Sequence, residues 1–314
     1  MKVSIVIPAY NEEGNVRVIS NRILEVLDGQ YAYEIIFIND GSSDRTLERL
    51  KELNAENPNI HYISFSRNFG HQNALKAGID YATGDCIISM DADMQHPPEF
   101  IPEMLQRWQE GYDIVYTKRE EVKTLPYFKR KTSSLFYKLM NRMSDIEIEP
   151  GAADFRLVDR KVAQVLRDSR ESNLFMRGFI SWIGFRQYKI DYRPAERFSG
   201  TTKYTVKKML LFAINGITSF SVKPLQFSIA LGLLMSAGAF LYALYAIYMH
   251  FFTDSTISGW TSVLVSVLFV GGIQLFILGI IGEYIGKIFM QTKNRPTYIV
   301  RETDQGLNTT FFRN

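Results

Sequence analysis

Over the first 120 residues, short apolar runs alternate with stretches in which apolar residues recur every three or four positions. Val3–Ile7, Ile35–Ile38, Tyr62–Phe65 and Cys86–Met90 are β-prone runs of the kind found in strands buried on both faces. Between them, Val16, Ile19, Ile23 and Val26, then Leu47, Leu50 and Leu53, then Ala74, Ala77, Gly78 and Tyr81 keep helical spacing. Pro97 and Pro98 open a further helix, where proline costs little, and Asp113–Thr117 reads as a fifth strand. The alternation predicts an α/β domain with a mostly parallel sheet covered by helices. Lys118–Lys131 then reads as a basic irregular loop, and helices are expected around Ser133–Met143 and Val162–Arg167, flanking Gly151–Val158.

The pattern changes near the end. Leu225–Met249 and Ile257–Gly282 carry no charge and no polar face, and about 20 apolar residues suffice to cross a bilayer. Two membrane spans are expected. Lys203, Lys207, Lys208 and Lys223 precede the first, and Lys287, Lys293, Arg295 and Arg301 follow the second, while His250–Thr256 holds only Asp254. The positive-inside rule then places both termini and residues 1–200 in the cytoplasm, with the chain a multi-pass protein of the cell membrane. Met1–Ile7 is too short for a signal peptide's apolar region.

The expected organisation is a domain over 1–200, a juxtamembrane segment over 201–223, two spans within 224–285 (225–249 and 257–282), and a C-terminal tail over 286–314. No acidic residue lies between Glu196 and Asp254, which suits a segment resting on anionic headgroups. Gly272, Gly279 and Gly286 repeat every seven residues, a small-residue surface for packing on the first span or in a homo-oligomer.

Composition narrows the chemistry. Of 314 residues, 36 are Lys or Arg and 33 Asp or Glu, so net charge gives no sign of nucleic-acid binding. The one cysteine, Cys86, excludes an internal disulfide and fits a buried thiol in a reducing compartment. A dinucleotide cofactor would call for Gly-x-Gly-x-x-Gly after the first strand, where only Gly14 stands.

Polar clusters fall at the carboxyl ends of the expected strands, where open α/β sheets bind ligands. They are Pro8–Glu13, Asn39–Asp44, Ser66–Gly70 and Asp91–His96. On an extended backbone Asp91 and Asp93 point the same way and offer a hard-oxygen site for Mg²⁺ or Mn²⁺, with Gln95 as a neutral third oxygen. Asn39–Asp44 reads either as a turn into a capped helix or as a nucleotide loop in which Asp40 accepts a base N–H.

Three stretches, Ile5–Glu12, Asn39–Asp44 and Asp91–Pro97, together resemble the successive motifs of family 2 glycosyltransferases of the GT-A fold. The likeness is greatest to polyprenyl-phosphate glycosyltransferases with two C-terminal spans. It extends to Gly151–Arg156 and Glu196–Lys203, with Thr202 where relatives often carry serine. The resemblance implies a GT-A domain plus two transmembrane helices, and an inverting, metal-dependent transfer of one sugar from a nucleotide-sugar to a polyprenyl phosphate such as undecaprenyl phosphate. UDP-glucose or UDP-N-acetylglucosamine are the favoured donors.

By the same resemblance Pro8, Tyr10, Glu12 and Asp40 line the nucleotide pocket, Asp91, Asp93 and Gln95 meet the metal and diphosphate, and Lys203 closes over the diphosphate. Cations between the metal site and the membrane are expected to hold the acceptor phosphate: Arg119, Arg130 and Lys131, with Ser134, or else they form a solvated basic loop. Asp154 is a base, a sugar-hydroxyl ligand, or a turn cap. Two other readings compete, a processive polysaccharide synthase and a silent nucleotide-sugar-binding scaffold. The first usually shows Gln-x-x-Arg-Trp after the acidic motifs, whereas this chain has Gln106-Arg107-Trp108.

Overall fold

Seven consecutive buried residues, Val3–Ala9, put β1 (Lys2–Ala9) in the interior of a sheet. The computed structural model describes residues 1–27, 29–119, 151–169, 171, 175–192, 217–219, 221–252 and 259–304. β1 pairs in parallel with β2 (Ala32–Asn39) on one side and β4 (Cys86–Ser89) on the other, with Ile5 opposite both Ile35 and Ile88. β2 continues in parallel to β3 (Ile60–Phe65). The covering helices are α1 (Val16–Leu27), α2 (Thr46–Glu56), α3 (His71–Tyr81) and α4 (Ile101–Gln109). α3 lies so close on the sheet that a Cβ at Gly78 would meet Val6 Cγ1 at 2.1 Å, so glycine is required there.

The other half of the sheet adds antiparallel pairs to the mostly parallel arrangement expected. β6 (Ala152–Asp159) runs antiparallel to both β4 and β5 (Ile114–Arg119), and β7 (Gln187–Tyr192) is parallel to β5. Gly151–Val158, unassigned from sequence, is therefore a strand with six buried residues in a row. α5 (Arg160–Asp168) follows at once, its first turn capped by Asp159, which accepts the Lys161 N–H at 2.8 Å; α6 (Met176–Trp182) comes next.

The strand order is β7-β5-β6-β4-β1-β2-β3-β8, and its last member comes from the C-terminal segment. β8 (Val300–Thr303) pairs antiparallel with β3. Asp304 binds it there, accepting the Tyr62 N–H at 2.7 Å and lying 2.6 Å from His61 Nδ1. The Tyr298 hydroxyl donates to Asp80 at 2.9 Å while its ring stacks on Phe65, 5.2 Å between centroids. A four-residue strand with so few apolar positions leaves little periodicity to read.

The chain forms two compact units, and residues from Asn294 onward belong to the first. The second holds α7 (Lys223–Phe252) and α8 (Trp260–Thr292), both long and apolar enough to cross a membrane. Tyr284 donates to the Ser221 carbonyl at 2.6 Å and Lys287 to Thr218 Oγ1 at 2.6 Å. The glycine row of α8 does not pack closely, for a Cβ at Gly272, Gly279 or Gly286 meets nothing within 4 Å.

Candidate active site

The carboxyl ends of β1, β2, β3 and β4 bring the four polar clusters to one edge of the sheet, as parallel register demands. At the β1–β2 end most polar groups are spent on the loops themselves. Asn39 Oδ1 accepts the Ser42 N–H at 3.1 Å, and Asp44 Oδ1 accepts from the Thr46 N–H at 3.0 Å and hydroxyl at 2.6 Å. Asn11, at φ 57°, accepts the Ser43 N–H at 2.9 Å and so ties the first loop to the second. Much of Asn39–Asp44 is therefore the turn entering α2.

Asp40 joins this end to the third loop. Its side chain is buried, and its two oxygens accept the Phe69 and Gly70 N–H groups at 2.6 and 2.9 Å. Burial raises its pKa in spite of those bonds. Gly41 lets the backbones meet: it sits at φ 67°, and a Cβ there would lie 2.4 Å from the Arg67 carbonyl carbon. Pro8 is buried at the end of β1, and Tyr10, 49% exposed, stands at the rim.

Residues 91–94 correct the extended backbone assumed for Asp91 and Asp93. β4 ends at Ser89 and the chain turns, with Met94 at φ 64°, a conformation that costs a side-chain-bearing residue of order 1 kcal/mol. The turn is closed from inside by His96, whose Nδ1 accepts the Asp91 N–H at 2.9 Å, and by Asp93, whose Oδ1 accepts the Gln95 N–H at 3.2 Å. Asp91 Oδ1 is buried without a hydrogen-bond partner among the described residues. Glu12 senses the acidity of this edge: burial raises its pKa, Asn15 opposes this, and Asp93, Asp44 and Asp91 push it further up.

Asp154, from β6, faces the same edge and is fully engaged. Arg177 forks onto it with two hydrogen bonds of 2.8 Å, Arg156 Nη2 lies 3.4 Å away, and His71 Nε2 lies 3.6 Å away. Burial works against the charge, yet the guanidinium of Arg177, with His71 and Arg156, holds the carboxyl well below the usual range. A carboxylate so held is a poor base at neutral pH, so the geometry favours an anchoring role over the base considered from sequence. His71 also lies 3.4 Å from Asp91 Oδ1; burial pulls its pKa down and the two carboxylates outweigh that, raising it.

Arg119, at the end of β5, is held by two hydrogen bonds of 3.0 Å, from Nε to the Tyr192 hydroxyl and from Nη2 to Gln95 Oε1. The oxygen expected on a metal is thus bonded to Arg119. Among the described residues, no three His, Cys, Asp or Glu side chains form a group able to hold a metal ion by themselves. Arg130, Lys131, Ser134 and Lys203 lie outside the described residues.

Sequence reading missed His71 and Arg177. The third polar cluster, Ser66–Gly70, ends one residue short of His71. Arg177 lies in a stretch without clear periodicity, and nothing nearby in sequence announces its partner 23 residues earlier.

Residues 4–167 match the pattern of Glycosyl transferase family 2. The chain is 48% identical over 304 residues to an uncharacterized glycosyltransferase, YkcC, of Bacillus subtilis (strain 168), covering 96% of this chain and 94% of that one. It is 42% identical over 302 residues to the prophage bactoprenol glucosyl transferase homolog of Escherichia coli (strain K12), covering 96% and 99%. It is 41% identical over 307 residues to the bactoprenol glucosyl transferase of Shigella phage SfII, covering 98% and 99%. Among solved structures, glucosyl-3-phosphoglycerate synthase from Mycobacterium tuberculosis with Mg²⁺ and uridine diphosphate superposes with a TM-score of 0.47 at 17% identity, covering 69% of this chain and 77% of that one.

The chain is a glycosyltransferase whose α/β domain, built on a mixed sheet, is accompanied by two long apolar helices. The chain belongs to glycosyl transferase family 2.

Proposed function

We propose that this glycosyltransferase moves one hexose from a uridine nucleotide-sugar, UDP-glucose or UDP-N-acetylglucosamine, to a polyprenyl phosphate at the cytoplasmic face of the membrane, with inversion and with Mg²⁺ or Mn²⁺. The observation that carries the reading is the likeness to chains named bactoprenol glucosyl transferase, which runs through the apolar helices as well as the domain. The fold supports the topology too. The domain and the segment from Asn294 form one unit, so the two helices between them would return the chain to the side it left.

The residues present fit a divalent ion. Asp91 presents a buried oxygen without a hydrogen-bond partner among the described residues, and the carboxylates around Glu12 make an acidic edge that a cation would relieve. Asp91 and Asp93 would hold the ion, and two carboxylates with donor phosphates are a usual magnesium set. Bound there, it supplies Lewis-acid stabilisation of the leaving diphosphate.

The chain's own groups do the rest. Tyr10 and Pro8 line the base and ribose pocket with Glu12, and Asp40 braces the loop at Phe69–Gly70 against it. Arg119, fixed at two nitrogens, binds the acceptor phosphate, with Arg130, Lys131 and Ser134 from the following segment and Lys203 over the diphosphate. A phosphate monoester with a second pKa of about 6 is already an anionic nucleophile at neutral pH and needs no base. That agrees with Asp154 being clamped by Arg177.

The test is to incubate the detergent-solubilised chain with labelled nucleotide-sugars, undecaprenyl phosphate and Mn²⁺ or Mg²⁺. Label from UDP-glucose or UDP-N-acetylglucosamine should enter the organic phase and disappear with chelator. Donor binding with no lipid label from any sugar would replace the reading with a silent scaffold, and full activity in excess chelator would remove the metal.

A further inference from the structure

His96 stands behind the acidic turn and touches Asp91 from two directions. Its side chain is 1% exposed, Nδ1 accepts the Asp91 backbone N–H at 2.9 Å, and Nε2 lies 3.6 Å from Asp91 Oδ2. With Nδ1 used as an acceptor, the proton of a neutral ring sits on Nε2 and faces that carboxylate. Nε2 has no hydrogen-bond partner among the described residues, and neither has Asp91 Oδ1. A buried donor without a hydrogen bond, beside a carboxylate oxygen that has none either and only His71 Nε2 at 3.4 Å, is costly unless another state uses both.

The ring itself is pinned. It stacks on Phe155 at 5.3 Å and 17° and meets Tyr192 edge-on at 6.3 Å. Tyr192 in turn accepts from Arg119, which donates to Gln95, the residue before His96. Simple core packing would satisfy the stacking contacts but gives no reason for an imidazole whose two nitrogens both address Asp91.

We propose that His96 is a positioning residue for Asp91: it closes the 91–96 turn through Nδ1 and, through Nε2–H, turns Asp91 so that Oδ1 faces a divalent ion and the donor diphosphate. Histidine thus acts one step behind the ligand, where such partners are typically worth about 10- to 100-fold in metal affinity or activity. The strained backbone at Met94 is part of the device, held in place by the same closure. The inference rests on the reading of Asp91 as a metal ligand.

Mn²⁺ titration of the full-length protein in detergent, with UDP present and free Mn²⁺ read by electron paramagnetic resonance, tests it without turnover. His96→Phe keeps the stacking and removes both nitrogens; its Mn²⁺ affinity should fall about 10- to 100-fold in protein that still melts cooperatively, at a midpoint lowered by the unpaired Asp91 N–H. His96→Asn, which restores an acceptor near the Nδ1 position, should recover part of the loss. Wild-type affinity in His96→Phe would overturn the proposal and leave His96 a packing residue. Should His96→Phe fail to fold, His96→Asn and His96→Gln carry the test, and wild-type affinity in both overturns it. Asp91→Ala is the control that separates the two layers: if it too binds Mn²⁺ like wild type, the failure lies in the ligand assignment beneath.

Discussion

Along one edge of the sheet, the flanking carboxylates and the one between them are treated in opposite ways. On the β2–β3 side Asp40 has each oxygen on a backbone N–H, and at β6 Asp154 is forked by Arg177. At the β4 turn Asp91 keeps one oxygen buried without a hydrogen bond among the described residues, with His71 Nε2 3.4 Å away. Burial alone therefore does not mark function here. What separates the groups is whether hydrogen bonds of the fold already satisfy them: a matched carboxylate holds loops together, and one without them has capacity to spare, which is the basis of the ligand role proposed for Asp91.

The sharpest way to break that comparison is Asp91→Ala. Sugar transfer should drop about 10³-fold, as when a charge-stabilising group leaves a reacting centre, while the melting midpoint holds. A midpoint falling in step with activity would put Asp91 among the structural carboxylates. Arg177→Ala should do the reverse. It leaves Asp154 charged and buried, with Arg156 and His71 still close, and should cost about 3 kcal/mol in chemical unfolding, the low end for breaking a buried pair.

Asp40→Asn is next in size. An amide offers one acceptor oxygen where two N–H groups need partners, so about 1–3 kcal/mol should be lost, together with a rise in donor KM as the 67–70 loop loosens. An unchanged donor KM would show that the brace does not reach the nucleotide pocket.

Acid titration gives the smallest and most diagnostic effect. Glu34 is buried, which pushes its pKa up, but bonds from Lys2, Ser4 and Thr83 outweigh burial and lower it. Its contribution is present above the unfolded glutamate value and is lost as pH falls through the lower folded value. Asp40, raised on folding, has the opposite sign: stability falls as pH rises from the unfolded aspartate value through its folded one. Urea midpoints below about pH 5 should fall more steeply in wild type than in Glu34→Gln, and equal slopes would mean that the Lys2–Ser4–Thr83 cluster does not hold Glu34 ionised.

Much of this was legible beforehand because it is local. β1 to β4 are runs of buried residues, the polar clusters follow them directly, and parallel pairing has to gather those clusters at one edge. Tertiary wiring was not. The pairing of Asp154 with Arg177 joins β6 to α6, the His96 ring addresses Asp91 through a turn with Met94 at positive φ, and β8 lies beyond two long apolar helices. No periodicity encodes a side chain's partner, and the basic cluster at Arg130–Ser134 lies outside the described residues.

The pairing of β8 with β3 also bears on biogenesis. A ribosome delivers Val300–Thr303 only after both apolar helices have been made, so β3 must wait with a bare flank until then. Until then the nascent domain presents an open strand, the kind of edge that recruits other chains. Shutting it last makes completion of the sheet contingent on synthesis of both helices, and a polypeptide cut short after Thr292 would be left adhesive rather than merely shorter.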